Sequence, residues 1–470
     1  MVIKFGTSGW RGIIADDFTF GNVRLAAQGI ADYLREVHGN SVVIGYDTRF
    51  LSEEFAKTVA EVIAGNDIEV HFSRYDIPTP VISFEILDRK LDGGINITAS
   101  HNDYIYNGLK FSNSKGGPAL PEETEKIEAN IANNRGRKIK ILDFDEGVLK
   151  RNIKIFDKTN YLDNLRKLVD LEKIKEKHLN VVYEPFFATG RRYIPELIGD
   201  ITDFTMIHGE RDPLFGMMHP EPIEENLSPL RETVLKNHAF IGISTDGDAD
   251  RFGFIDKSGE FVPPNIILSI IYYYLIEVRN MKGNVVRTIS TTSLLDRIAH
   301  FYGFDSIVTP VGFKYIGEAL YEKKAIFGGE ESGGASLSGW LQEKDGILVD
   351  TLILEIVAHF GKTLTELKND LFKKFGEVYN KRLDFPFEPI LQNKAMPLLK
   401  IYLTKEKEHL SIKSIEEFDG LKVDFEDRSK AVFRVSGTEP KLRIYLESET
   451  ENKLEDLVQI TTDAFKKAVA

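Results

Sequence analysis

The pattern that most narrows the fold is an alternation of short apolar strands with one-faced helices, repeated three times before the chain changes character. In the first run Val23, Ala26, Ile30, Leu34 and Val37 share one helical face, and Val42 to Ile44 reads as a strand. A second helix, with Ser52 as its expected cap, carries Phe55, Val59 and Val62 ahead of the strand Glu69 to Phe72. The next run holds a helical stretch from Tyr161 to Val169, strands at Val181 to Tyr183 and Phe204 to Ile207, and a helix from about Leu227 to Leu235. The third holds the apolar helix Ile266 to Ile276, the strand Val285 to Thr288 and a helix through Leu294, Leu295 and Ile298. Such alternation predicts mostly parallel α/β sheets. The tail reads differently, as strands at Lys422 to Phe425, Ala431 to Phe433 and Ile444 to Leu446 before a terminal helix, which predicts a smaller α+β unit. A chain of 470 residues accommodates several domains. We divide it as 1–145, 146–255, 256–375 and 376–470, with the charged stretch from Gly136 to Lys154 as the first joint.

Between two apolar strands, Ala239 to Ile243 and Phe252 to Ile255, stands Asp246-Gly247-Asp248-Ala249-Asp250-Arg251. An isolated D-x-D is ordinarily a solvated acidic turn. A third Asp, an adjoining Arg and the flanking strands favour convergence of the three carboxylates, with Gly247 letting the loop curl. Converging carboxylates repel unless a cation or proton intervenes, and an oxygen-only donor set suits a hard ion such as Mg²⁺. An EF-hand is excluded, because Arg251 stands where it needs Gly and Lys257 where it needs Glu.

A net charge of −13 argues against nonspecific nucleic-acid binding, although local Arg and Lys clusters can still receive an anion. The absence of cysteine removes disulfides, thiolate metal sites and cysteine nucleophiles, and is compatible with a reducing cytoplasm. No signal-peptide pattern opens the chain, and Ile266 to Ile276 is too short to span a bilayer. A cytoplasmic protein is the expectation, with no membrane partner.

Several other stretches carry candidate chemistry. Phe5 to Gly12 is a glycine-rich loop containing Arg11, but its spacing is not that of a dinucleotide fingerprint. Thr98-Ala99-Ser100-His101-Asn102 follows a strand and is either a nucleophile loop or a simple turn, with Lys110 returning close behind. Gly328-Gly329-Glu330-Glu331-Ser332-Gly333-Gly334 could bond sugar hydroxyls or be a flexible acidic turn. Gly361-Lys362-Thr363 is not a Walker A motif, since Ile356 stands at its first glycine. Arg434 to Arg443 brackets Ser436-Gly437-Thr438 with two guanidinium groups. That set of donors suits a tetrahedral phosphate, and the ordinary alternative is a charged hairpin.

Taken in order, TASHN at Ser100, DGDADR at Asp246, GGEESGG at Glu330 and RVSGTEPKLR at Arg434 resemble the four active-site loops of the α-D-phosphohexomutases, over nearly the whole chain. The resemblance implies three similar α/β units and a C-terminal α+β unit around a central cleft. It implies interconversion of hexose 1- and 6-phosphates through a phosphoserine at Ser100 and a bisphosphorylated sugar. Mg²⁺ would be held by Ser100, Asp246, Asp248 and Asp250, with glucose 1,6-bisphosphate or a matching hexose bisphosphate as activator. Arg11, His101, Lys110 and Lys344 would serve the transfer. Arg251, Gly312, Glu330 and Ser332 would contact substrate, and Arg434, Ser436, Gly437, Thr438 and Arg443 the non-transferring phosphate. A monomer or homodimer is expected. Val311, Gly334 and Asp103 depart from relatives, and Glu331 favours glucose over glucosamine, whose mutases usually carry Gln there. Glucose is the favoured sugar, with a phosphomannomutase or dual-specificity enzyme as the alternative. A phosphoglucosamine mutase or a noncatalytic phosphosugar-binding paralogue ranks lower.

Overall fold

The computed structural model describes residues 3–6, 9–388, 391, 393–435 and 441–469. They form two compact units, residues 1–267 with 312–365 and residues 268–311 with 366–470.

In the first unit a six-stranded sheet runs in the order Trp10–Ile13, Tyr106–Asn113, Gly93–Ile97, Ser41–Tyr46, Glu69–Ser73 and Ile153–Phe156. The last four strands are mutually parallel, and each of the first two is antiparallel to the strand that follows it in this order. Val42 to Tyr46 is buried on both faces, as a strand covered by helices on either side should be. Helices Phe20–Glu36 and Ser52–Gly65 pack on this sheet through the periodic residues read from the sequence, among them Val23, Ile30, Phe55 and Val59. Two expectations are corrected here. Ser52 is the first residue of its helix rather than the cap. Leu51 occupies the cap position with φ 59°, and the Ser52 hydroxyl instead donates to Asp47 Oδ1 at 2.7 Å. The stretch 136–154 is not a joint, because Ile153–Phe156 pairs with Glu69–Ser73, so the first sheet extends beyond residue 145. A short strand among charged residues reads as linker until a partner strand supplies its hydrogen bonds.

The second sheet has the order Phe261–Val262, Phe252–Asp256, Ile241–Thr245, Asn180–Glu184 and Asp203–Met206. Thr245 and Phe252 face each other across an antiparallel pair, so the acidic loop is the connection at the end of that pair. The helix Tyr161–Leu165 stops short of the expected Val169. Gly346–Phe360, a helix buried almost throughout, is capped by the Asp345 side chain, which accepts from Leu348 N. The glycine-rich segment at Glu330 is no open loop: Phe327–Glu330 and Gly334–Leu337 form a tight antiparallel hairpin with Glu330 opposite Gly334.

The second unit contains a parallel pair, Val285–Thr288 with Ser306–Thr309, and a five-stranded antiparallel sheet. That sheet runs Tyr379–Pro386, Lys441–Ser448, Lys430–Val435, Leu421–Phe425 and Ile412–Glu417. Leu421, Val423 and Phe425 alternate inward with period two, joining Leu399, Phe433, Ile444 and Phe465 in one core. The strands Tyr379–Pro386 and Ile412–Glu417 and the helix Ala395–Lys405 were not expected. Both strands lie at the sheet's edges, where charged residues interrupt the apolar alternation. Among the described residues no helix is long and apolar enough to cross a membrane.

Candidate active site

The strand Gly93–Ile97 delivers the chain to Ser100, whose φ of 54° puts it in the left-handed region. Ser100 N donates to Thr98 Oγ1 at 2.8 Å, and Ser100 Oγ donates to Asp246 Oδ2 at 2.9 Å. His101 Nδ1 lies 3.3 Å from the same Oγ. The antiparallel return strand sets Lys110 opposite Asn96, and its Nζ donates to Asp248 Oδ2 at 2.6 Å and Asp250 Oδ2 at 3.0 Å. Arg11, on the neighbouring strand, donates to Asn102 Oδ1. The Ser100 loop, the acidic loop and Lys110 therefore meet in one place.

Within the acidic loop, carboxylate oxygens of Asp246, Asp248 and Asp250 lie within 4.8 Å of one another, and all three residues are buried. Asp246 Oδ1 accepts from the backbone N–H groups of Asp250 and Arg251, which curls the loop. The residue with positive φ is Ala249 at 55°, not Gly247, which corrects the role expected for that glycine. Gly247 is required by close approach: a Cβ there would lie 2.4 Å from the Ser100 carbonyl oxygen. Asp248 is braced from the start of another helix. Thr79 N donates to its carbonyl at 2.9 Å, and Thr79 Oγ1 donates to its Oδ2. Asp248 Oδ1 and Asp250 Oδ1 are buried without a hydrogen-bond partner. Three converging carboxylates with two open oxygens are the donor set a hard divalent cation takes.

Electrostatics divide the site into charged and neutral members. Burial pushes the Asp246 carboxyl well up, and Asp250 and Asp248 beside it push the same way. Burial acts on Asp250 too, but Lys110, Lys344 and Arg251 outweigh it and hold that carboxyl down. Burial alone would lower both lysines; the carboxylates around them prevail and keep them protonated. Arg11 is lowered to about 10 by burial and by Arg251, and so stays charged. His101 is driven well below its usual value by burial and by Arg251, Arg11 and Lys110, leaving a neutral imidazole in contact with the serine hydroxyl.

The sugar-loop candidates sit close by in the same unit. Lys344 Nζ lies 3.1 Å from Asp250 Oδ2 and 2.8 Å from Glu343 Oε1. A Cβ on Gly334 would come within 2.2 Å of Lys344 Cδ, so that glycine is where the lysine stem passes. Glu330 Oε1 accepts from Gly312 N at 3.0 Å, and burial raises its carboxyl. Ser332 lies at the hairpin turn. Arg251 Nη1 donates to Glu221 Oε1 at 2.9 Å. In the second unit Arg434 and Arg443 are direct cross-strand partners. Like charges so placed repel, and an anion would relieve them. Arg434 Nε donates to Asp419 Oδ2 at 3.0 Å. Ser436, Gly437 and Thr438 lie outside the described residues.

Sequence reasoning missed Arg49, Thr79, Glu221 and Asp345. Arg49 follows a buried strand and is itself fully buried, donating to four carbonyls around Ser100. Asp345 accepts from Tyr161 Oη, at 2.7 and 2.8 Å to its two oxygens, and from Trp340 Nε1 at 2.8 Å. The one signal in the sequence was position: a charged residue just after an apolar strand, as in Asp47-Thr48-Arg49.

The described residues thus form layered α/β units with a serine beside a buried carboxylate triad, followed along the chain by an antiparallel terminal sheet. Family comparisons agree along the chain. The descriptions for phosphoglucomutase/phosphomannomutase match α/β/α domain I over residues 2–138, domain II over 159–259, domain III over 263–375 and the C-terminal domain over 398–464. A probable phosphoglucosamine mutase of Pyrococcus abyssi is 32% identical over 472 residues, covering 99% of both chains. A phosphoglucomutase of Komagataeibacter xylinus is 31% identical over 486 residues, covering 95% of this chain and 87% of its own. A crystal structure from Thermus thermophilus, described provisionally as a phosphomannomutase, superposes with a TM-score of 0.86 at 30% identity over 99% of each chain. The chain belongs to the phosphoglucomutase/phosphomannomutase family, the α-D-phosphohexomutases, and is an enzyme of the isomerase class. Its relatives carry three different sugar names.

Proposed function

We propose that this enzyme interconverts the 1- and 6-phosphates of a hexose, with glucose favoured, through a phosphoserine at Ser100 and a hexose bisphosphate. The observation that carries the reading is the Ser100 Oγ bonded at 2.9 Å to a buried carboxylate triad that keeps two open oxygens. In the first half-reaction the bond from Ser100 Oγ to phosphorus breaks, and a bond forms from phosphorus to the free sugar hydroxyl. The sugar hydroxyl gives up a proton and the departing Ser100 Oγ takes one, so an unprotonated group is needed to accept and return it. Of Arg11, His101, Lys110 and Lys344, His101 is the one held neutral, and the other three offer positive charge to the phosphoryl oxygens. The second half-reaction reverses this with the other phosphate of the bisphosphate.

Asp246, Asp248 and Asp250, with a Ser100 phosphoryl oxygen, would hold Mg²⁺, which supplies positive charge against the oxygens of the group in transit. Arg251 and Gly312 serve substrate placement, Glu330 and Ser332 take sugar hydroxyls, and Arg434, Ser436, Gly437, Thr438 and Arg443 take the phosphate that does not move. One such loop belongs to each of four domains, divided close to residues 255 and 375, with the first boundary moved beyond Phe156. Glucose 1,6-bisphosphate, or the bisphosphate of the preferred sugar, is the expected activator.

For the sugar, Glu331 supports glucose, and the name of the relative from Pyrococcus abyssi supports glucosamine as the second reading. Incubation with Mg²⁺, a trace of bisphosphate and the 1-phosphates of glucose, mannose and glucosamine tests the proposal. The highest kcat/KM is expected with glucose 1-phosphate. A preference for glucosamine or mannose rejects the sugar, release of free phosphate alone points to a phosphatase, and binding without turnover to a noncatalytic paralogue.

A further inference from the structure

Arg49 has no place in the chemistry above, yet it is the largest fully buried side chain among the described residues. Its guanidinium has five N–H groups, and every one is used. Nε donates to Asp47 Oδ2 at 3.0 Å. One Nη donates to the carbonyls of Asp103 at 2.7 Å and Tyr106 at 3.1 Å; the other donates to those of Ser100 at 2.5 Å and Asn102 at 2.6 Å. The flat face of the group rests on Phe215, with Cζ 4.8 Å from the ring centroid.

The loop so gathered is the one that carries the proposed nucleophile. Three carbonyls of the loop between the strands Gly93–Ile97 and Tyr106–Asn113, those of Ser100, Asn102 and Asp103, converge on one point with that of Tyr106, the first residue of the second strand. Convergent carbonyl dipoles repel, so the turn forms only around a cation that can donate in several coplanar directions. Arg does this and Lys cannot, having three donors on a point charge. The Ser100 carbonyl is held between the guanidinium and Gly247, at the near-contact that leaves no space for a Cβ. Ser100 itself is in the left-handed region, a conformation that persists when its surroundings impose it. The direction of Ser100 Oγ towards Asp246 thus follows from where Arg49 pins its carbonyl.

We propose that Arg49 is a positioning residue for phosphoryl transfer: it templates the loop Ser100–Tyr106 so that the Ser100 hydroxyl meets the acidic triad. The proposal rests on the reading of Ser100 as phosphoryl carrier, and the two are separable by experiment. Wild type and Arg49→Lys are incubated with Mg²⁺ and glucose 1,6-bisphosphate, and phosphate on Ser100 is followed by mass spectrometry beside steady-state kinetics. A misplacement of about 1 Å at a reacting atom costs on the order of 100-fold in rate, so kcat and the rate of Ser100 phosphorylation should both fall by at least about tenfold. KM for the sugar phosphate should stay within about twofold, because Arg49 does not touch the substrate. Arg49→Gly should recover part of that loss with millimolar guanidinium and none with methylammonium. A purely structural role predicts a lower melting temperature with unchanged phosphorylation per folded molecule and no guanidinium response. Either result overturns the proposal. If wild type takes no phosphate on Ser100, the phosphoserine reading falls; the templating is then judged by amide hydrogen exchange across 100–106, which should speed up in Arg49→Lys. Should the variants not fold, NMR of the wild type decides: slowly exchanging, distinct Nη protons support the template, and exchange at solvent rates refutes it.

Discussion

Gly247→Ala should separate two loops that have to touch. An ideal Cβ at 247 stands 2.4 Å from the Ser100 carbonyl oxygen, whereas ordinary contact begins near 3.4 Å, so the backbones must part by about 1 Å. Neither side yields easily. Gly247 N donates to Pro220 O at 3.2 Å, and Gly247 O accepts from Thr189 Oγ1 at 3.2 Å. The Ser100 carbonyl is bonded to Arg49. Overpacking of this kind costs about 1–3 kcal/mol of stability. If the strain opens the loops instead, the 2.9 Å bond from Ser100 Oγ to Asp246 lengthens by most of an ångström and ceases to be a hydrogen bond. A displacement of that size at a reacting atom lowers the rate about 100-fold. Thermal melting and single-turnover transfer from the bisphosphate measure the two effects. A Gly247→Ala variant that matches wild type within about twofold in transfer and melts at the same temperature would show that the loops do not approach as described, and the reasoning fails.

Asp248→Asn should weaken Mg²⁺ binding about tenfold or more, read by calorimetry: with its oxygen kept on Thr79 and Lys110, the amide NH₂ takes the place of the open Oδ1. Unchanged affinity and turnover would remove Asp248 from the metal site. Asp345 gives a pH signature. Burial raises its carboxyl to about 6 from 3.8, against the pull of Leu348 N, Trp340 and Tyr161, so the folded state binds its proton more tightly than the unfolded chain. Stability should therefore fall as pH rises from about 4 to about 6, by on the order of 3 kcal/mol, and stay flat above. Asp345→Asn should lose that slope in urea titrations across the window, and a slope equal to wild type refutes the assignment. Arg434→Ala should raise KM for the sugar phosphate at least about tenfold while Ser100 still takes phosphate at high bisphosphate; unchanged binding denies the phosphate role.

Much of this enzyme is local information, and local information is present in a sequence. Helix faces repeat every third or fourth residue and buried parallel strands are short apolar runs, so the layered α/β units were legible from Val23 to Val37 and from Val42 to Ile44. The acidic cluster was legible because Asp246, Asp248 and Asp250 stand at alternate positions of one short loop. Tertiary structure alone decided which charges would meet. Lys110 finds Asp248 138 residues away, Tyr161 finds Asp345 184 residues away, and Arg49 finds carbonyls more than 50 residues on. The edge strand Ile153–Phe156 likewise joined the first sheet only when Glu69–Ser73 was there to pair with it. The physical reason is common to these cases. A buried charge or an unpaired backbone group is tolerated only with a partner, and the partner's identity depends on how distant segments pack. That packing also pushed the Asp246 carboxyl up while its cationic neighbours held Asp250 down, and left one imidazole neutral.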